Sequence, residues 1–175
     1  MKRLITIVAG SLCLIIGSVV IFAQESTTAG YSTVTAIEMT FQWKVEGDTL
    51  HCIVSAPTSG WVAVGFDPSR RMKDANIIIG YVDDGTVEVF DHYGVTPIAH
   101  LDDTQRGGTT DVTDISGDET NNTTEIRFSI PLDSGDKRDR ALSMGKSYEV
   151  ILAYGRSDSL RAQHVARTTV EIVLK

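Results

Sequence analysis

The sequence is poor in cysteine and in positive charge, and each shortage removes a class of protein. It holds two cysteines in 175 residues. Cys13 lies inside an N-terminal apolar run, Leu4 to Ala23, so a chain that loses this run keeps Cys52 alone and forms no internal disulfide. Cys52 sits in an apolar strand pattern and reads as a buried small hydrophobe. Basic residues number 16 against 23 acidic ones, a formal net charge of −7, which argues against a nucleic-acid partner. The same sign fits plain solubility or the steering of a basic redox partner. Also missing are Cys-x-x-Cys-His, His-Glu-x-x-His, a phosphate-binding glycine loop and a nucleophile elbow. Covalent c-type haem attachment and the common hydrolase designs are thereby excluded. No helical period is sustained beyond the N-terminal run, and no internal repeat or linker marks a second domain.

What is present begins with an export layout. Lys2 and Arg3 precede a run free of charge from Leu4 to Ala23, as in a secretory signal. Ala23 before Gln24 sets the expected cleavage point. The run is nearly long enough to span a bilayer, so an uncleaved N-terminal anchor is the alternative. Leu12 before Cys13 replaces the small residue that precedes a lipidated cysteine. The expected organisation is a signal over 1–23, a polar leader over 24–34 and one β domain over 35–175, exported to the periplasm or the extracellular space. Loss of the signal removes two basic residues and makes the charge more negative still.

Period-two alternation then recurs. Ile37, Met39, Phe41 and Trp43 alternate with polar or small residues, as do Leu50, Cys52 and Val54, with Gly47-Asp48 as the turn between them. Strands are expected at Trp61–Phe66, Asn76–Val82 and Thr86–Phe90, the last two joined by a tight turn at Asp83-Asp84-Gly85. Ile126, Phe128 and Ile130 run to Pro131; Tyr148, Val150 and Leu152, and then Val170, Ile172 and Leu174, make the last strands. The polar stretch 101–124 reads as a long loop with one short strand at Val112–Ile115. Many short strands with glycine-rich turns predict an all-β sandwich or barrel.

The oddest residue is Met72, in Pro68-Ser69-Arg70-Arg71-Met72-Lys73-Asp74. Most loop methionines carry no function. This one has no core face by periodicity, and a soft thioether on a loop is what a haem iron or copper site requires. His51 falls on the strand face opposite Cys52 and is expected at the surface, as are His92 and His100 around the Phe90–Gly94 turn. His164 stands in a polar turn before the final strand and, taken alone, reads as a surface residue too. The pairs Asp83-Asp84 and Asp102-Asp103 lie in turns and read as structural.

Gly60-Trp61-Val62-Ala63-Val64-Gly65-Phe66, followed by Met72-Lys73-Asp74-Ala75-Asn76-Ile77-Ile78-Ile79-Gly80-Tyr81, resembles the DOMON family. The similarity continues through Phe128–Asp136 and Ala153-Tyr154-Gly155 to His164 and Arg167–Val170, from about Thr35 to Lys175. Asp74 stands where the family often has a small residue, and Asn76 where Asp is usual. The resemblance implies an immunoglobulin-like antiparallel β-sandwich. In the haem-binding branch it implies a non-covalent haem b with Met72 and His164 as axial ligands, at one end of the sandwich. Arg70, Arg71, Lys73, Arg161 and Arg167 lie close enough in sequence to these ligands to meet the propionates. Two protein ligands leave no open iron position, so the implied role is an extracytoplasmic electron carrier serving a redox partner protein, free or membrane-bound, and not an enzyme. The alternatives are a non-haem module that binds a carbohydrate or other small ligand, with Trp61 and Tyr93 as stacking surfaces unless Trp61 is core, a copper site using Met72 and His164, or a structural interaction domain.

Overall fold

The computed structural model describes residues 28–175; the expected signal, its cleavage point and Cys13 lie outside the described residues. Eleven strands follow in order: β1 (Ser32–Ala36), β2 (Met39–Glu46), β3 (Thr49–Ala56), β4 (Val62–Phe66), β5 (Asn76–Asp83), β6 (Thr86–Thr96), β7 (Ala99–Asp102), β8 (Thr113–Thr120), β9 (Thr123–Pro131), β10 (Ser147–Tyr154) and β11 (Ala166–Val173). A single 3-10 turn, Asp103–Arg106, lies between β7 and β8. One sheet has the order β1-β2-β3-β9-β8 and the other β11-β10-β4-β5-β6-β7. Every pairing is antiparallel. The fold is an antiparallel β-sandwich.

Register turns the alternating sequence into a core. In the five-stranded sheet Phe41, Val54 and Ile126 form one cross-strand row, and Trp43, Cys52 and Phe128 the next. In the six-stranded sheet Leu152, Val64 and Ile78 align. All of these side chains are buried between the sheets. Phe41 meets Phe66 edge-on across the gap, with ring centroids 6.1 Å apart, and stacks on Trp43 at 5.3 Å, arrangements that aromatic quadrupoles favour. Trp43 Nε1 donates to the Val173 carbonyl at 3.2 Å, tying the first sheet to the edge of the second.

Several local expectations are revised. β1 takes in residues 32–34 of the expected polar leader. Ile37 is not a strand residue: with φ 48°, beside Glu38 at φ 66°, it forms the β1–β2 turn. A β-branched residue is strained there, and the contact of its side chain with the core offsets the strain. The stretch 101–124 is no long loop, since it contains the end of β7, the 3-10 turn and an eight-residue β8. β8 is polar because its side chains are almost all exposed at the sheet edge. Its turn to β9 is Asn121-Asn122, both residues at positive φ, the geometry that a tight hairpin needs. Cys52 is buried and free, as expected.

Candidate functional site

Antiparallel sheets usually bury one face and wet the other, so their strands alternate. β4 and most of β5 do not alternate: Val62–Phe66 and Asn76–Gly80 are buried throughout. The inward set, Val62, Val64, Phe66 and Ile78, fills the inter-sheet core. The outward set therefore needs a cover of its own. Trp61, Ala63, Ile79 and Ala153 form a separate buried cluster on that outer face, with Leu160 packed against it.

A cavity of about 400 Å³ lies over this face. Its floor is Ala63 and Gly65 of β4, Ile77 and Ile79 of β5, and Ile151 and Ala153 of β10. The small residues keep the floor low: a Cβ on Gly65 would already stand 3.1 Å from Ile77 Cγ1. Met72 comes from the β4–β5 connection, Ile98 and His100 from the β6–β7 hairpin, and Leu160–His164 from the β10–β11 connection. A second cavity of about 280 Å³ adjoins it and shares Met72, His164, Ile151, Ala153 and Arg167. Met72 and His164 thus stand together where the two spaces meet. The site flanks the outer face of the six-stranded sheet and is not at the end of the sandwich.

The Met72 loop is held by its own turn and by β6. Ser69 N donates to the Lys73 carbonyl at 2.8 Å, and Lys73 N to the Arg70 carbonyl at 3.0 Å. Asp74, the residue that departs from the family pattern, is the clamp of this loop: its carboxylate accepts from Ser69 Oγ at 2.5 Å and Tyr93 Oη at 2.8 Å. Those two hydrogen bonds, with Lys73 nearby, hold its carboxyl below the ordinary range. Asp74 N also donates to the Gly94 carbonyl at 2.7 Å, and Gly94 N to the Ala75 carbonyl at 2.9 Å. The approach is so close that a Cβ on Gly94 would overlap the Met72 carbonyl oxygen at 1.6 Å.

The His164 loop has a matching anchor. Gly155 N donates to the Trp61 carbonyl at 2.8 Å, and Thr58 Oγ1 to the Gly155 carbonyl at 2.6 Å. Val165 N closes the excursion onto the Tyr154 carbonyl at 2.8 Å. Trp61 is buried, as core would be, yet it belongs to the outer cluster and lines the cavity. Its Nε1 has no hydrogen-bond partner among the described residues.

The five basic residues separate. Arg161 and Arg167 line the larger cavity, and Arg71 and Arg167 the smaller. Arg70 and Lys73 line neither; they face each other across the loop turn, and Lys73 Nζ lies 3.6 Å from Asp74. Tyr93 is also outside both linings, with its hydroxyl bonded to Asp74 and Arg138 over its ring at 5.3 Å.

Two histidines expected at the surface are not there. β6 continues to Thr96, so His92 is a strand residue, 9% exposed, and His100 lines the larger cavity. Their Nδ1 atoms lie 2.7 Å apart. Burial, and then the neighbouring His100, pushes the His92 pKa down to about 4; burial also lowers that of His100. His51 is half-buried and bonds Ser129 Oγ at 2.8 Å. Asp84 and Gly85 make the β5–β6 hairpin turn with Asp83 as the last strand residue before it, whereas Asp102 ends β7 and Asp103 is buried.

Chemically, a thioether and an imidazole at one apolar cavity form a donor pair suited to a soft or borderline metal centre. The sequence carried a signal for the wall itself: the unbroken apolar runs at Trp61–Phe66 and Ile77–Ile79 in an antiparallel sheet require burial on both faces.

Comparison with solved structures shows the same fold. The cytochrome b domain of pyranose dehydrogenase from Coprinopsis cinerea superposes with a TM-score of 0.61 at 13% identity, covering 81% of this chain and 80% of that one. The cytochrome domain of Myriococcum thermophilum cellobiose dehydrogenase gives 0.57 at 10% identity, covering 83% and 82%. A family model of the DOMON domain matches residues 36–155, which takes in the Met72 loop and stops short of His164. The chain belongs to the DOMON domain family.

Proposed function

We propose that this protein is an extracytoplasmic, b-type cytochrome-like electron-transfer domain that holds one haem b between Met72 and His164 and exchanges electrons with a redox partner protein. The observation that carries this reading is the convergence of Met72 and His164, from loops far apart in sequence, on one apolar cavity. The fold likeness to two domains described as cytochromes supports it, and the N-terminal charge pattern supports export.

The residues at the cavity suit such a group. Ala63, Gly65, Ile77, Ile79, Ile151 and Ala153 offer a low apolar floor. Arg161 and Arg167 at the rim, with Arg71 beside the smaller space, suit propionates. Bound haem supplies a one-electron couple, whose potential thioether ligation raises. Met72 and His164 would both hold the group and leave oxygen and substrate no place on it, which would suit a carrier and not a catalyst.

The test is a visible absorption spectrum of the exported protein before and after dithionite. Sharp reduced α and Soret bands, altered or lost in Met72→Ala and in His164→Ala, are expected. A colourless protein that takes up no added haemin overturns the reading; copper spectra in its place reassign Met72 and His164 to a copper centre.

A further inference from the structure

On the opposite side of β6 from the cavity, carboxylates converge with little to neutralise them. Phe90 and His92 pair with Ile79 and Ile77 on the outer, cavity-side face, whereas Asp91 pairs with Ile78, whose side chain is in the inter-sheet core. Asp91 thus points to the inner edge of the sandwich. Asp111, from the segment before β8, and Asp139, from the β9–β10 connection, meet it there. One carboxylate oxygen from each lies within 4.8 Å of the other two.

Existing hydrogen bonds use only part of their capacity. Asp91 Oδ2 accepts from Asp111 N at 3.0 Å, Asp139 Oδ2 from Ser134 Oγ at 2.6 Å, and Asp111 Oδ2 from Thr109 Oγ1 at 2.7 Å. Among the described residues, Asp91 Oδ1 and Asp139 Oδ1 are buried with no partner. A separate residue makes the same demand. Asp103, which opens the 3-10 turn, is 1% exposed, and both of its carboxylate oxygens are unpartnered. Its carboxylate stands at the margin of the group: a Cβ on Gly108 would lie 2.5 Å from Asp103 Oδ2 and 2.9 Å from Asp136 Oδ2, and Thr109 Oγ1 links Asp136 to Asp111. The Arg138 guanidinium, whose Nε and Nη2 donate to the Arg106 carbonyl at 3.2 and 3.1 Å, makes no hydrogen bond to these carboxylates among the described residues and offsets the charge of Asp103 only in part. Asp136 at the margin is satisfied by the backbone of Thr109 and Arg138.

We infer that Asp91, Asp111 and Asp139, backed by Asp103, form a binding site for a calcium-type divalent cation that ties β6 to the segments flanking β8 and β9. Carboxylates drawn out of water with little counter-charge are costly, and the buried Asp91, grouped with the half-buried Asp111 and Asp139 and with Asp103 at their margin, favours a cation. The donors are all oxygen, which selects a hard ion. One oxygen from each of the three carboxylates lies within 4.8 Å of the others, close enough to share one ion, and three carboxylates from separate segments suit calcium, since magnesium is usually held by one or two. Without a cation, burial first, and then mutual repulsion, pushes Asp91 and Asp103 up to about 7 and Asp139 to about 6, so protonation has to stand in for the missing charge. The cation joins the two sheets, β6 from one and the β8 and β9 flanks from the other. It is separated from the Met72 and His164 cavity by β6, and the inference is independent of what that cavity holds.

The test is calorimetric titration of the EGTA-stripped protein with CaCl2 at pH 7, with thermal melts in parallel. One equivalent of bound calcium is expected, with a rise in Tm that EGTA reverses. Asp111→Asn and Asp139→Asn, checked for folding by circular dichroism, should each weaken binding at least about tenfold. Wild-type protein that gives no binding heat and no change in Tm overturns the inference. So does unchanged affinity in a folded Asp111→Asn or Asp139→Asn variant; equal affinity for MgCl2 overturns the choice of calcium. If neither variant folds, the wild-type titration decides alone.

Discussion

His92 and His100 face each other through their Nδ1 atoms at 2.7 Å, beside the cavity wall. Such a contact requires one ring to donate and the other to accept, so one proton lies between them and the pair cannot carry two charges. Two imidazolium rings would set N–H against N–H. Burial, and then His100, already holds His92 at about 4, below its ordinary 6.5. As pH falls from about 6.5 to 4, the unfolded chain takes up a proton that the folded chain refuses, so the contribution of this pair to stability falls. Nuclear magnetic resonance titration should show the His92 ring neutral at pH 6 and His100 titrating below its ordinary range. Replacing His92 by Phe should gain stability relative to wild type as pH is lowered through that window; parallel pH curves for the two proteins would contradict the shared-proton arrangement.

The Met72 loop is docked so closely on β6 that Gly94 leaves it no slack. In Gly94→Ala the added methyl group overlaps the Met72 carbonyl, and the overlap is with backbone, which cannot rotate away. The loop must lift. The expected cost is about 1–3 kcal/mol, in line with other overpacked sites. Hydrogen exchange should locate it, with the Asp74 and Gly94 amides, which now bond across this contact, exchanging faster while those of β2 and β3 keep wild-type protection. Unchanged protection at Asp74 would show that the loop tolerates the methyl group.

Stability resides in the inter-sheet core far more than in surface ion pairs. Phe128 is 2% exposed in the row with Trp43 and Cys52, and Phe128→Ala should cost about 3–5 kcal/mol in denaturant unfolding. Arg140 bonds Asp67 Oδ2 through Nε at 3.1 Å and Nη2 at 2.6 Å, but both side chains are more than a third exposed. Solvent screens such a pair, and Arg140→Ala should cost less than about 1 kcal/mol. Comparable losses for the two variants would mean that this ion pair has a larger role than its exposure allows.

Much of this architecture is legible in the sequence because period two is a local signal. Phe41, Trp43, Cys52, Val54, Ile126 and Phe128 announce their strands and their buried face. Ile37 misleads, since an apolar residue one step before Met39's strand continues the alternation on paper while its backbone turns the corner. β8 hides for the opposite reason: an exposed edge strand has no apolar face to show. His92 depends on β6 running past Phe90, and nothing in Asp91-His92-Tyr93-Gly94 marks that extension. The Met72 loop stands out through its chemistry, and its partner His164 through family resemblance. The acidic group is invisible, because positions 91, 103, 111 and 139 are brought together only by the register of β6 and by two connections.

The side chains that line the larger cavity and those that fill the space between the sheets come from the same strands, yet no residue belongs to both sets. The sandwich therefore closes on side chains it owns outright, and the groove on its flank is built from a separate set, so the groove's lining can vary without repacking the body that carries it.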